Sequence, residues 1–240
     1  VGIRLYSSSS NKIFHNNFMD NWLQAYVPSS YDNLWDNDYS SGGHYWSDYK
    51  GVDNFGGSNQ DIPGSDGIGD TPYTIDLDNT DRYPLMAQCS TFNCGTWNDK
   101  AYEVDIVSNS TVSDFCFDPN PAQPSISFNV AGENGTKGFC RVTIPKDLLW
   151  TENNWTIYVN SQLANYTLIA NENYTYLYLT YNHSTKPVQI IGTHVIPESP
   201  AILMLPIFIT ATLLVVIAHR KKRESKKPFE TLPHLVAKSH

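Results

Sequence analysis

The first 27 residues, VGIRLYSSSSNKIFHNNFMDNWLQAYV (1–27), carry the pattern that decides the fold. Short apolar groups recur between serines and asparagines, with Ile3 and Leu5 first, then Ile13, then Phe18. No apolar stretch here is long enough for an amphipathic helix. The pattern is typical of one coil of a parallel β-helix, in which short strands bury a few side chains and corner asparagines hydrogen-bond from coil to coil.

One such coil cannot bury its apolar face, because a solenoid needs about three repeats to form a core. The chain also begins at Val1 without a start methionine or a signal peptide, although a protein domain outside the cell membrane needs a targeting signal. We therefore expect further coils upstream and interpret the chain as the C-terminal part of a longer protein.

Four strings make the pattern more specific: residues 2–21, residues 35–49 with SGGHYWSDY (41–49), DGIGDTPY (66–73) and DRYPLM (81–86). Together they resemble the right-handed β-helix repeat of NosD-type proteins and the module that closes such β-helices in archaeal cell-surface proteins. Residues 110–200, with GFCRVTIP (138–145), resemble less distinctively a domain that often follows. The resemblance implies a right-handed parallel β-helix, and the family name implies copper handling. The same repeat occurs in carbohydrate-binding and sugar-cleaving proteins, so the fold alone does not carry function.

Residues 106–193 alternate apolar and polar side chains with the period of a β-strand, as in Ile126, Phe128 and Val130. Turns rich in Gly, Asn and Pro separate six or seven such runs, which favours a β-sandwich. The predicted fold class is therefore all-β. The last β-helix coil and an aspartate- and aromatic-rich cap occupy 1–108, and the β-sandwich occupies 109–194.

The end of the chain has the pattern of a membrane anchor. Residues 201–218, AILMLPIFITATLLVVIA, carry no charge and would span about 27 Å as a helix, close to the thickness of a thin bilayer. A proline stalk (195–200) precedes this predicted transmembrane helix, and a basic tail (219–240) follows it. Because basic residues stay in the cytoplasm, we expect a cell-membrane protein with 1–195 outside and the tail cytoplasmic. The alternative is a buried core helix.

Two features agree with an outside location. Six N-x-[ST] glycosylation sequons lie at Asn109, Asn134, Asn154, Asn165, Asn173 and Asn182, whereas residues 1–105 contain 11 asparagines and no sequon. Four cysteines, an even number, permit disulfides in oxidising surroundings: Cys89, Cys94, Cys116 and Cys140. Three pairings remain open, and Cys89–Cys94 with Cys116–Cys140 is the most local.

The segment from Asp32 to Asp81 is strongly acidic, with 11 aspartates and a single base, Lys50. Short carboxylates interleaved with glycine suit calcium, which takes six to eight oxygen ligands. The candidate calcium ligands are Asp53, Asp61, Asp66 and Asp70. The alternative is a solvated acidic loop that uses aspartate to form turns.

The same segment is rich in aromatic residues, and two explanations are open for them. Exposed rings beside carboxylates can stack on sugars, which makes Trp35, Tyr45, Trp46 and Tyr49 candidate carbohydrate contacts. Alternatively, the rings form the core that caps the open end of the β-helix.

The sequence assigns no catalytic residue. It lacks G-x-S-x-G, H-E-x-x-H, Walker A and G-x-G-x-x-G motifs, and Asp36, Asp38 and Asp48 are only a weak glycosidase signal. Copper prefers grouped His, Cys or Met, yet the histidines are scattered and His15 with Met19 is a poor site.

The net charge of −8 argues against a nucleic-acid partner. We therefore expect a membrane-anchored, glycosylated cell-surface protein with a structural or carbohydrate-binding role. Its expected partners are the membrane and envelope glycans or surface proteins, and calcium is the one candidate cofactor. The alternatives are the C-terminal part of a polysaccharide lyase or hydrolase whose active site lies upstream, and a NosD-like copper-handling accessory protein.

Overall fold

A computed structural model describes residues 1–97 and 99–196, and these residues form strands and turns without any helix. The prediction of an all-β chain is therefore confirmed for this part of the chain. No helix among the described residues is long and apolar enough to cross a bilayer. The predicted transmembrane helix (201–218), the basic tail (219–240) and most of the proline stalk lie outside the described residues.

Residues 1–87, here called the first segment, contain eight very short strands: β1 (Ile3–Arg4), β2 (Asn17–Phe18), β3 (Ala25–Tyr26), β4 (Tyr45–Trp46), β5 (Phe55–Gly56), β6 (Ile62–Pro63), β7 (Tyr73–Thr74) and β8 (Thr80–Asp81). Strand β1 pairs with β3 and β2 pairs with β4, both in parallel. The pairs β5–β6 and β7–β8 are antiparallel.

Successive passes of the chain lie on one another in this segment. Ile3 pairs with Ala25, and Lys12 pairs with Leu34, an offset of 22 residues in both cases. A further parallel bridge joins Tyr45 to Leu85. Asparagine side chains also link successive passes, since Asn11 Nδ2 donates a hydrogen bond to Asn33 Oδ1 at 2.8 Å.

Aromatic rings fill the interior of the first segment. The indole of Trp46 is sandwiched between Phe18, at 4.4 Å between ring centroids, and Tyr73, at 4.2 Å. Its Nε1 donates to the buried carboxylate of Asp81 at 2.8 Å. Trp35 packs in the same core with no exposed surface. These rings therefore hold the layers together.

Residues 88–196 form two five-stranded antiparallel sheets. Sheet A has the order β17-β18-β13-β10-β9, and sheet B has the order β11-β12-β19-β15-β16. A small extra pair joins β14 to β20. The strands are β9 (Gln88–Trp97), β10 (Lys100–Ser108), β11 (Thr111–Asp118), β12 (Ser125–Ala131), β13 (Lys137–Pro145), β14 (Leu149–Trp150), β15 (Thr156–Val159), β16 (Gln162–Leu163), β17 (Thr167–Ala170), β18 (Tyr174–Asn182), β19 (Lys186–Ile191) and β20 (His194–Val195).

The two sheets share one apolar core, to which Val142 and Leu177 contribute from sheet A and Phe128 and Ile190 from sheet B. The sequence placed the start of this unit at residue 109. However, β9 and β10 already belong to sheet A, so the two-sheet unit begins at Gln88. Strand β9 is hard to recognise in the sequence because its residues are largely polar.

Sheet A is covered on both faces, because its outer face packs against the first segment. Arg141 of β13 is fully buried there, lies 4.4 Å from the Tyr176 ring and donates to the carbonyl of Ser40. Gly67, at φ 88°, leaves room for it, since a Cβ there would lie 2.8 Å from Arg141 Cδ. The Asn17 side chain bonds both backbone groups of Cys89 at 2.8 Å. These contacts fix the first segment on sheet A.

Candidate functional site

A cleft of about 510 Å³ lies between the first segment and the outer face of sheet A. The first segment contributes His15, Asn37 and Ser41, and sheet A contributes Asp105. The loop that leads into β18 contributes Asn173 to the rim. The volume falls within the range of small-molecule sites, about 300–1,000 Å³.

A histidine–carboxylate pair lies at the inner end of the cleft. His15 Nδ1 is 3.3 Å from Asp105 Oδ2, and Thr91 Oγ1 donates to Asp105 Oδ1 at 2.7 Å. Burial alone would raise the pKa of Asp105, but the hydrogen bonds from His15 and Thr91 outweigh it and hold the pKa below its ordinary value. Asp105 is therefore an anion at neutral pH.

The other ring nitrogen of His15 points at Ser41. Nε2 lies 3.1 Å from the Ser41 carbonyl and 3.2 Å from Ser41 Oγ. A carbonyl oxygen only accepts, so this contact is a hydrogen bond in the tautomer that carries a proton on Nε2. The orientation of the imidazole is thus fixed from both sides.

The thiol of Cys89 lies beside this pair. His15, Cys89 and Asp105 are the one group of three His, Cys, Asp or Glu residues in the described part of the chain whose potential ligand atoms lie within 4.8 Å of one another. Burial and the nearby Asp105 charge raise the pKa of the Cys89 thiol to about 12. The nearby Arg141 charge acts in the opposite direction but does not outweigh them, so the thiol stays protonated at neutral pH and is a poor nucleophile.

The outer part of the cleft carries aromatic and charged side chains. The rings of Phe14 and Tyr174 are 37% and 40% exposed. Lys100 forms an ion pair with Asp147 and lies 4.6 Å from the Tyr102 ring centroid. This part of the cleft therefore offers apolar ring faces next to hydrogen-bonding groups.

No three of the four candidate calcium ligands, all within the described part of the chain, have carboxylate oxygens within 4.8 Å of one another. Asp53 accepts the backbone N–H groups of residues 66 and 67, and Asp70 accepts those of residues 54 and 55. Asp66 is buried and accepts the Tyr39 hydroxyl at 2.9 Å, while Asp61 is exposed. These bonds are those of turn-forming aspartates, the alternative left open by the sequence.

The candidate sugar-stacking rings divide into two groups. Trp35 and Trp46 are 0% and 1% exposed, so their faces are closed to a ligand, contrary to that expectation. Tyr45 and Tyr49 are partly exposed, and Tyr49 donates its hydroxyl to the Thr71 carbonyl at 2.6 Å.

The weak glycosidase candidates Asp36 and Asp38 both bind the guanidinium of Arg82 at 2.5 Å.

The four cysteines are unpaired thiols, three of them buried and Cys116 exposed. Cys89 and Cys94 lie on the same strand, where five residues span about 16 Å. A disulfide needs Cα atoms within about 7 Å. The predicted Cys89–Cys94 disulfide is therefore wrong, because both residues lie on strand β9.

The six sequon asparagines are all exposed. Among them, Asn173 lies on the rim of the cleft, and Asn109 has its side chain bonded to the backbone of residues 137 and 139. The sequons thus lie on accessible surface of the two-sheet unit.

Sequence reasoning missed the His15–Asp105 pair and its neighbour Cys89. The two residues of the pair are 90 positions apart, and neither belongs to a motif. The one available signal was an acidic residue inside an otherwise apolar run, since Asp105 interrupts Val104, Ile106 and Val107. A charge on the outer face of a strand that is covered on both faces requires a partner.

A scan of family models and searches of curated proteins and of solved structures return no match for this chain.

Proposed function

We propose that this chain belongs to a membrane-anchored, glycosylated surface protein that binds carbohydrate of the cell envelope and is not catalytic in this segment. The observation that carries the proposal is the cleft between the first segment and sheet A. Its exposed rings, amides and carboxylates are the groups with which proteins hold sugars. Aromatic faces pack on the apolar faces of sugar rings, while amides and carboxylates bind hydroxyl groups.

The arrangement of the cleft supports this ligand class. Phe14 lies on the first segment and Tyr174 on sheet A, so rings border the cleft on both walls. Between them, Asn37 and Asn173 supply amides, and Asp105 supplies a carboxylate. A polar lining with two available ring faces favours a hydroxyl-rich ligand over an apolar one.

The layered first segment supports a place at the end of a solenoid. We interpret its parallel layers as the last coils of a right-handed β-helix of NosD type. The repeated offset of 22 residues and the stacked pair Asn11–Asn33 are the features expected of such coils. In this proposal the aspartate- and aromatic-rich cap closes the solenoid, and the two-sheet unit forms one wall of the binding cleft.

The surface location rests on the sequence and on the exposure of the sequons. The apolar run 201–218 followed by basic residues is the proposed anchor. All six sequon asparagines are exposed on the surface of the two-sheet unit. A glycan on Asn173 would lie over the cleft, so the unglycosylated protein is the form in which binding is tested first.

The test is a screen of envelope polysaccharides and oligosaccharides against the full chain, purified in detergent without N-glycans. We expect binding that weakens about 5- to 10-fold in Tyr174→Ala and in Phe14→Ala, because one aromatic contact contributes about 1 kcal/mol. Trp22→Ala is the matched control, because this indole is 93% exposed and does not line the cleft. Binding that is absent, or equal in Tyr174→Ala and wild type, would overturn the proposal.

A further inference from the structure

We infer that His15, Cys89 and Asp105 form a binding site for a divalent transition-metal ion, Zn²⁺ by its ligand preferences, at the inner end of the cleft. Their potential ligand atoms lie within 4.8 Å of one another. One nitrogen, one sulfur and one oxygen ligand form a set that zinc accepts in tetrahedral geometry. This inference does not depend on the carbohydrate proposal, because metal binding is measured without any glycan.

The register of sheet A brings two of the ligands together. Cys89 pairs with Val107, and Asp105 lies two residues from Val107 on the same strand. Residues two apart on a strand point to the same face, so the thiol and the carboxylate are diagonal neighbours on the outer face of the sheet. The Asn17 side chain clamps the backbone of Cys89 with two bonds of 2.8 Å.

The first segment supplies the third ligand. His15 adopts a positive φ of 56°, and its backbone N–H donates to the Gly43 carbonyl at 2.8 Å. This conformation directs the imidazole at Asp105. The ligand set therefore forms only because the first segment packs on sheet A.

Outer contacts orient the atoms that would bind a metal. His15 Nε2 faces the Ser41 carbonyl and Thr91 holds Asp105 Oδ1, so Nδ1 and Oδ2 face each other, and a metal ion would replace the hydrogen bond between them. Metal-binding histidines and carboxylates are usually oriented by such outer hydrogen bonds. The distance from Nδ1 to Oδ2 is 3.3 Å. This matches the edge of about 3.3 Å in a tetrahedron whose bonds are about 2.0 Å long.

Three protein ligands leave a fourth position for water or a ligand from the cleft. The side chains of His15 and Asp105 are 18% and 22% exposed, so the position faces the cleft. On binding, the Cys89 thiol and any proton on His15 Nδ1 release their protons to solvent, while the sulfur and nitrogen lone pairs bind the metal.

A hydrolytic Ser41–His15–Asp105 triad is the competing interpretation of these atoms, since His15 Nε2 also lies 3.2 Å from Ser41 Oγ. Two contacts disfavour it. In the tautomer that bonds the Ser41 carbonyl, Nε2 carries a proton and does not accept one from Ser41 Oγ. The backbone N–H groups of residues 41, 42 and 43 all donate to carbonyls, which leaves none of them for an oxyanion.

The test is a calorimetric titration of Zn²⁺ into the metal-stripped full chain in detergent. We expect wild type to bind one equivalent more than Cys89→Ser and than Asp105→Asn, with release of protons. Cys116→Ser is the matched control, because it removes an exposed thiol on sheet B and should bind as wild type does. Thr91→Val, which removes the outer bond to Asp105, should weaken binding about 10- to 100-fold. Equal stoichiometry and affinity in wild type and Cys89→Ser would overturn the inference.

A second measurement keeps the test valid if a variant fails to fold. X-ray absorption at the zinc edge of the loaded Cys116→Ser chain should show one sulfur at about 2.3 Å with nitrogen and oxygen ligands at about 2.0 Å. A shell of oxygen and nitrogen alone would contradict the site.

Discussion

A substitution at Trp46 tests whether the aromatic rings of the first segment form its core. If its indole is a core side chain, as the structure has it, Trp46→Ala removes a ring that is 1% exposed and stacked on both faces. The transfer and cavity terms for a buried tryptophan cost about 3–5 kcal/mol. The loss of the Nε1 bond to buried Asp81 adds about 1.5–3 kcal/mol, because the acceptor is a carboxylate.

The sum approaches the whole free energy of unfolding of a typical protein, about 5–15 kcal/mol, so Trp46→Ala should fold poorly. Trp46→Phe keeps most of the ring and loses the donor, and is therefore the variant to melt. At about 2–4 °C per kcal/mol for a unit of this size, the loss of the hydrogen bond alone should lower Tm by about 3–12 °C.

The assay is thermal unfolding followed by tryptophan fluorescence and circular dichroism, with Trp22→Ala as control. That indole is 93% exposed, and its loss should change stability by less than about 0.5 kcal/mol. If Trp46→Ala melts within that same margin of wild type, Trp46 is not a core residue and the packing described for the first segment is wrong.

Three further predictions follow from the same structure. Burial, with the nearby charges of Asp66 and Asp70, raises the pKa of Asp53 to about 6, so the folded state holds a proton that the unfolded state releases near pH 4. The free energy of unfolding should therefore fall between pH 5 and pH 7.5 by about 1 kcal/mol more in wild type than in Asp53→Asn, and an equal fall in both would refute this. Asp53 and Asp70 already accept backbone N–H groups. Tm in millimolar calcium should therefore equal Tm in a calcium-selective chelator. A reversible rise in Tm with calcium would contradict this and support the predicted calcium site. In metal-stripped protein, Ellman's reagent should find one reactive thiol in the native chain, Cys116, and four after denaturation; fewer than four would mean that a disulfide is present.

The short strands of the first segment could be predicted from the sequence because their pattern is local. Serine and asparagine between short apolar groups indicated short strands, which the structure contains, while the β-helix coil stays a prediction. The alternating runs after residue 109 likewise predicted strands that the two sheets contain. Periodicity reports which face of a strand is covered, and both predictions needed only that.

Which aromatic rings are buried could not be predicted from the sequence. Trp35 and Tyr49 occur in the same aromatic-rich segment, yet the first has no exposed surface and the second is partly exposed. What separates them is the packing of distant residues, such as Asn79, whose side chain accepts the Trp35 indole N–H at 3.0 Å. Composition places rings and carboxylates near each other in the chain but does not say which of them face solvent.

The candidate site could not be predicted from the sequence for a related reason. His15 and Asp105 meet only because the first segment packs on the outer face of sheet A, a contact held by buried Arg141 and by Asn17. Sequence reasoning assigned residues 88–108 to the first segment and so had no second wall for a cleft. A site built between two parts of a chain needs the tertiary contact before its residues can be grouped.

Hydroxyl-radical footprinting of the full chain, with and without a bound envelope glycan, shows whether the cleft between the first segment and sheet A holds carbohydrate, because exposed aromatic rings are oxidised and covered ones are protected. If the cleft is the carbohydrate site, the glycan protects Phe14 and Tyr174 while Trp22 stays fully reactive. Protection at Tyr45 and Tyr49 instead, or unchanged oxidation of Phe14 and Tyr174 under saturating glycan, would contradict it.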